Sequence, residues 1–367
     1  MKILHLTTHL NMGGISRYVT ALAKVLKNKG HTVFIASNGG ELEEILHQEG
    51  IKHIYLNIRT KSELSPKIIE SFFVLKSFLK SEKIDLIHAH TRVTQVVSAL
   101  LSFYQKIPYV TTCHGFFKKR LGRMIFGCWG KRVVAISEAV KNQLIYSFGV
   151  DEKRIALIHT GIELKKFLKD ISQEEKTRFK RKWNLDGAPV VGTIGRLSPV
   201  KGQDVLLMAV KKLAKDFPDI KVLLAGDGPY ERYLRKLSTT LGLGKNVIFA
   251  ASVSDTTEIL PAMDIFVLPS IEEGLGLSLI EAMAFGSPCV ASKIGGIESL
   301  IEDGVTGLLF RRGDPDDLAR AIKYMLINKS EAESFKEKAR RKVIKNFDIE
   351  KMASQIEKMY GDVLRGR

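Results

Sequence analysis

The 367-residue sequence has three cysteines, Cys113, Cys128 and Cys289, and no CxxC pair, so neither a zinc-site spacing nor a disulfide frame is on offer. No apolar stretch reaches the length of a membrane span, and the run in MKILHLTTHL is too short for a secretory leader, which predicts a cytoplasmic protein. There is no GxGxxG fingerprint and no P-loop, which counts against a dinucleotide-dependent dehydrogenase and against a kinase. Acidic clusters with metal-ligand spacing are also lacking. Asp314-Pro-Asp316 resembles a DxD motif, yet in RRGDPDDLARAI it stands directly before a helical run, where capping explains it better, so no metal is expected.

The length suggests about two domains, and a 45% hydrophobic content without low-complexity tracts suits globular folding. Charge is unevenly spread. Residues 1–170 carry 26 Lys and Arg against 13 Asp and Glu, whereas residues 171–367 carry 31 against 27. A basic first half points to an anionic partner: nucleic acid, a phosphorylated substrate or a membrane surface. Two stretches there, KIIESFFVLKSFLKSEK from Lys67 and HGFFKKRLGRMIFGCWGKR from His114, mix aromatics with Lys and Arg as interfacial segments do, which predicts peripheral contact with an anionic membrane.

Short apolar runs alternate with helical patterns throughout, as parallel sheets with crossover helices require. The first half gives KILHLTTH, TVFIASN, HIYLNI, LIHAH, YVTTCH, VVAIS and ALIHTG; the second starts afresh with VVGTIGR, VLLAGDG, VIFAAS, IFVLPS, PCVAS and GLLF. Ile15, Val19, Leu22 and Leu26 fall on one helical face, and Gly30 follows where that helix would stop. The fold class is therefore α/β, with two doubly wound, Rossmann-like domains over about 1–168 and 169–350 and a ligand cleft between them.

Four loops could carry chemistry. Asn11-Met-Gly13-Gly14 follows the first strand, and its N–H groups could approach a phosphate. GRLSPVKGQD places Arg196 and Lys201 at a strand's carboxyl end, where a fork and a point charge would pair with a diphosphate. His114 ends the strand of TTCHG and could orient a hydroxyl; Cys113 beside it points to the opposite face, which weakens a Cys–His nucleophile. EEGLGLSLIEAM sets Glu273 and Glu281 on either side of a glycine loop. Ser278 and Glu281 match a capping box, so Glu281 is either a helix-starting device or a ligand of something beyond the helix.

In order, NMGG, TCHG, VVAISEAVKNQL, GTIGRLSPVKGQD, LLAGDGPY, VLPSIEEGLGLSLIEAMAFGSPCVAS and GGIESLIEDGVTGLLF resemble the retaining glycosyltransferases of family 4, glycogen synthase-like and mannosyltransferase-like enzymes of the GT-B fold. The resemblance covers nearly the whole chain. It implies two facing domains, with a final helix of about 351–367 returning to the first. It implies that Glu273 reaches the donor sugar's hydroxyls, that the N–H groups of Gly274, Leu275, Gly276, Leu277 and Ser278 hold the sugar and the distal phosphate, and that Glu281 takes the ribose hydroxyls. Arg196 and Lys201 would neutralise the diphosphate in place of a metal, Gly13 and Gly14 would add phosphate contacts, and His114 would orient sugar or acceptor. No cofactor is implied beyond the nucleotide-sugar substrate. The acceptor would be a glycan or lipid-linked molecule of cell-envelope synthesis, at the inner face of the membrane. Leu275 departs from the aromatic found in many relatives, which leaves donor identity open. A nucleotide-sugar epimerase of the same fold is disfavoured by the intact Glu273/Glu281 element, and a basic nucleic-acid-binding protein by the lack of groove-entering or stacking elements.

Overall fold

The computed structural model describes residues 1–60, 62–169, 171–253 and 255–366. It divides into two units, one formed by Met1–Gly161 together with the chain from Ile349, the other by Ile162–Asp348. The chain thus leaves the first unit after Gly161, earlier than the 168/169 boundary read from the sequence. Ile162 is already tied to the far end of the second unit, its N–H donating to the Phe347 carbonyl at 2.8 Å.

The first unit is a seven-stranded parallel sheet of β1 (Lys2–Leu6), β2 (Thr32–Ser37), β3 (Lys52–Tyr55), β4 (Leu86–Ala89), β5 (Tyr109–Cys113), β6 (Val133–Ala135) and β7 (Ile155–Leu157), ordered β3-β2-β1-β4-β5-β6-β7. Its crossovers contain α1 (Gly14–Asn28), α2 (Glu43–Gln48), α3 (Pro66–Glu82), α4 (Arg92–Gln105), α5 (Leu121–Ile125) and α6 (Glu138–Phe148). The second unit begins with α7 (Gln173–Lys182), whose start is the capping box of Ser172 and Glu175. Its six-stranded parallel sheet comprises β8 (Val190–Ile194), β9 (Lys221–Ala225), β10 (Val247–Ala250), β11 (Ile265–Leu268), β12 (Cys289–Ser292) and β13 (Leu308–Phe310), ordered β10-β9-β8-β11-β12-β13. Around it lie α8 (Gln203–Leu213), α9 (Glu231–Thr240), α10 (Leu277–Phe285), α11 (Gly295–Glu298), α12 (Pro315–Ile327) and α13 (Lys329–Asn346); α14 (Ile349–Leu364) then belongs to the first unit.

The strands read as continuous apolar runs because helices cover both faces of each sheet. On α1 the stripe of Val19, Leu22 and Leu26 is fully buried and packs with Ile356 and Tyr360 of α14. Gly30, at φ +87°, ends that helix in the left-handed conformation its lack of a Cβ permits. Asp314 accepts from the N–H groups of Asp316 and Asp317 at the start of α12, so the DPD sequence is a helix cap. In both sheets the strand order reverses beside the first strand, between β1 and β4 and between β8 and β11. Crevices for ligands open at such points, at the carboxyl ends of the strands.

Candidate functional site

In the second unit the loops after β8 and β11 are locked together by backbone. Gly202 adopts φ +64°, and a Cβ on it would stand 2.0 Å from the Pro269 carbonyl oxygen, so only glycine fits this approach. The N–H groups of Ile271 and Glu272 both donate to the Val200 carbonyl, at 2.8 and 3.2 Å. This brings the Lys201 ammonium to 2.5 Å from Oε2 of Glu273, which also accepts from the Ser270 hydroxyl at 3.3 Å. Both charged side chains are largely buried, at 27% and 15% exposure. From the other side Gly296 presses on the same loop: a Cβ there would lie 2.3 Å from the Gly274 oxygen and 2.5 Å from that of Glu273. Arg196 shares the loop with Lys201, but its side chain is exposed and has no ion-pair partner among the described residues.

Helix α10 starts at Leu277, with Gly276 as its N-cap at φ +91° and no side-chain cap. The N–H groups of Leu275, Gly276, Leu277 and Ser278 have no acceptor among the described residues. Four such groups at a helix N-terminus form a site that favours an anion. The capping box read at Ser278 and Glu281 does not form. The left-handed Gly276 is the N-cap and the helix begins at Leu277, one residue before Ser278, so Ser278 lies inside the first turn and cannot serve as the cap. Glu281, 1% exposed, instead accepts from the hydroxyl of Thr256 at 3.1 Å.

Gly13 and Gly14 lie in the first unit at the start of α1. Neither has a left-handed φ, a Cβ on Gly14 would meet nothing within 4 Å, and one on Gly13 only the Asn11 oxygen at 3.9 Å. Their lack of side chains is required by no neighbour, which leaves the helix start accessible. His114 follows β5, half-buried, with the Tyr18 ring edge-on at 4.6 Å; burial pushes its pKa down to about 3. Burial likewise raises the Cys113 thiol to about 12, so the thiolate a Cys–His nucleophile needs does not form near neutral pH.

Sequence reasoning missed three histidines that pack behind His114. His5 on β1 stands in register with His88 on β4, and His90 follows two residues later on the same face. The three are buried, and their ligand-capable atoms lie within 4.8 Å of one another. Both nitrogens of His88 are engaged, by Tyr360 at 2.5 Å and Thr112 at 2.7 Å, and His5 bonds His90 at 2.9 Å. The alternation in HAH beside a histidine on the first strand was the only sequence signal for this group.

Two family models match the chain, Glycosyltransferase Family 4 over residues 12–166 and Glycosyl transferases group 1 over residues 175–342. The chain belongs to the GT-B glycosyltransferases of family 4 type. It is similar to the N-acetyl-alpha-D-glucosaminyl L-malate synthase of Bacillus anthracis, 27% identical over 98% of this chain and 97% of that one. The UDP-Gal:alpha-D-GlcNAc-diphosphoundecaprenol alpha-1,3-galactosyltransferase of Escherichia coli is 26% identical over 99% of this chain and 97% of its own. Among solved structures, Anabaena Alr3699/HepE in complex with UDP-glucose superposes with a TM-score of 0.88 at 25% identity, covering 99% and 100% of the two chains. This glycosyltransferase therefore has the two parallel α/β sheets of the GT-B fold.

Proposed function

We propose that this glycosyltransferase moves a sugar from a nucleotide-sugar donor, with retention and without a metal, onto a glycan or lipid-linked acceptor of cell-envelope polysaccharide or lipopolysaccharide synthesis. The observation that carries the reading is the row of N–H groups from Leu275 to Ser278 without an acceptor among the described residues, flanked in the chain by the carboxylates of Glu273 and Glu281. A diphosphate with a sugar on one side and a ribose on the other has the charge and the hydroxyls to match. The N–H groups and Arg196 take the phosphates, Glu273 the sugar hydroxyls and Glu281 the ribose. Lys201 serves both the phosphate and Glu273. Charge develops on the diphosphate as the glycosyl–oxygen bond breaks, and preorganised dipoles and cations lower that barrier most. The acceptor oxygen attacks the anomeric carbon from the face the diphosphate leaves, and its proton passes to a departing phosphate oxygen. Glu273 and Glu281 are then binding groups and not a hydrolase's acid/base pair. His114 orients the sugar or acceptor, and Gly13 and Gly14 add N–H groups for phosphate.

The lipid-linked acceptor named for the Escherichia coli relative supports this choice of acceptor class. The first unit also has a surface suited to an anionic membrane. No described helix is long and apolar enough to cross one. Segment 116–126, however, exposes Leu121, Ile125 and Phe126 beside Lys118, Lys119 and Arg120. Arg92 pins its end through the Phe126 and Gly127 carbonyls, at 2.7 and 2.6 Å, and Arg123 turns inward over the Phe117 ring. The apolar side chains thus stay outward while the segment is held from within.

Incubation with a panel of nucleotide-sugars, with and without a chelator, tests the reading. Slow hydrolysis of one donor that survives chelation is expected. Failure to hydrolyse any donor, combined with no calorimetric binding of any nucleoside diphosphate, overturns it.

A further inference from the structure

Behind His114 the imidazoles form a directed chain at the carboxyl ends of three neighbouring strands. Nδ1 of His5 lies 2.9 Å from Nε2 of His90, and Nδ1 of His90 lies 3.2 Å from Nε2 of His114. The remaining nitrogen at the buried end, Nε2 of His5, has no partner among the described residues. A neutral imidazole carries one N–H and one lone pair, so one choice of tautomer fixes every ring in the chain. All these rings are held neutral, because burial depresses His5 and His114 to about 3 and His90 well below its ordinary value.

Two arrangements satisfy both bonds. In one, His90 donates from Nε2 to His5, and His5 must keep its proton on the unpartnered Nε2. In the other, His5 donates from Nδ1 to His90, His90 donates from Nδ1 to His114, and the buried orphan is only a lone pair. Orphaned buried N–H groups are the rarer and costlier case, so the second arrangement prevails. An ion shared by His5, His88 and His90 is not favoured by this geometry. It would have to break the His5–His90 bond and draw on a His88 whose two nitrogens are already engaged, with no carboxylate in the group to balance its charge.

We infer that His5 and His90 are positioning residues that hold His114 with its proton on Nδ1, so that it presents a hydrogen-bond donor, and not a base, to a sugar or acceptor oxygen. The inference deepens the reading of His114 given above and rests on it only for the identity of the partner. A donor fixed in this way suits an oxygen that gains electron density or must be held in one orientation. It also removes His114 as the acceptor of the attacking hydroxyl's proton, in keeping with proton transfer to the departing phosphate.

Long-range proton–nitrogen correlation spectra of the full chain labelled with nitrogen-15 histidine read the tautomer directly, with His114→Gln assigning the signal. His114 is expected to show a protonated Nδ1 and a bare Nε2. His90→Leu, which removes the donor, should release the His114 ring from its fixed orientation and lower kcat/KM for donor turnover by roughly tenfold, the worth of one ordinary hydrogen bond. His90→Asn, whose amide nitrogen can stand near the lost Nδ1, should restore both. A parent protein with the proton on Nε2 of His114 overturns the inference, whether or not the variants fold. So does a His90→Leu protein with turnover intact. A parent that turns over no nucleotide-sugar overturns the functional reading instead, and the spectrum still decides the tautomer.

Discussion

The Lys201 ammonium stands 2.5 Å from Oε2 of Glu273, joining the loop after β8 to the loop after β11. A cation with a partly buried carboxylate beside it is held in place before any substrate arrives, which is what preorganised charge stabilisation requires. Lys201→Ala is therefore expected to lower kcat by about 10²–10³-fold, the usual cost of removing one such group. Glu273→Gln should reduce turnover more than affinity for the nucleoside diphosphate, because that ligand carries no sugar. Steady-state kinetics and calorimetry on the two variants check both statements, and equal losses in turnover and diphosphate affinity for Glu273→Gln would contradict the second.

Glu281 offers a cleaner separation of binding from folding. Its bond to Thr256 survives in Glu281→Gln, since the amide oxygen also accepts, so the melting temperature should scarcely move. Nucleotide binding should weaken by about 1–3 kcal/mol for the loss of a charge-assisted hydrogen bond to ribose. Unchanged affinity in a calorimetric titration would remove the ribose assignment. Thr256→Val, by contrast, takes a donor away from a buried carboxylate and should cost about 1–3 kcal/mol of stability in urea unfolding.

The buried histidines make the first unit sensitive to acid. His5 is depressed to about 3, and His88 and His90 lie well below 6.5, chiefly through burial. In the unfolded chain they would titrate near 6.5. Below that pH the unfolded state binds protons that the folded rings refuse, so their contribution is complete above 6.5 and falls as pH drops towards 3. His5 accounts for about 1.4 kcal/mol per pH unit in that window, and His88 and His90 act in the same direction. Urea midpoints should fall between pH 7 and pH 5, and less steeply for His5→Phe. Parallel pH profiles for parent and variant would contradict this.

Membrane contact predicts that vesicles with anionic lipids bind the protein, that neutral ones do not, and that added salt weakens the association. Leu121→Ser with Ile125→Ser should lower binding without altering the melting temperature, because both side chains are exposed. Equal binding to neutral and anionic vesicles in a flotation assay counts against the surface described.

Much of the fold was legible because thirteen apolar runs bounded by loops leave little choice but parallel strands buried on both faces. The cap at Asp314 was legible too, since its partners lie within three residues. The start of α10 was not. Ser278 and Glu281 have the spacing of a capping box, but Gly276, at φ +91° and with Leu268 2.9 Å from where a Cβ would stand, is the N-cap and fixes the boundary earlier. Thr256 could not be found as the partner of Glu281, for it lies 25 residues away in a segment without periodic pattern. The histidine chain was hidden for a similar reason. Each member is one polar residue in or beside an apolar strand, and only the pairing of β1 with β4 and of β4 with β5 brings them together.

Helix α14 supplies buried side chains from Ile349 to Val363 to a core otherwise built from the first 161 residues. During synthesis the unit begun first therefore lacks one of its covering helices until residues 349–364 emerge, whereas the second unit, one uninterrupted stretch, has all its parts earlier. The order in which the two units reach completion is thus the reverse of the order in which they are started. A ribosome-bound or truncated chain ending before Ile349 would leave the part of α1 that packs on α14 open to water and to chaperones.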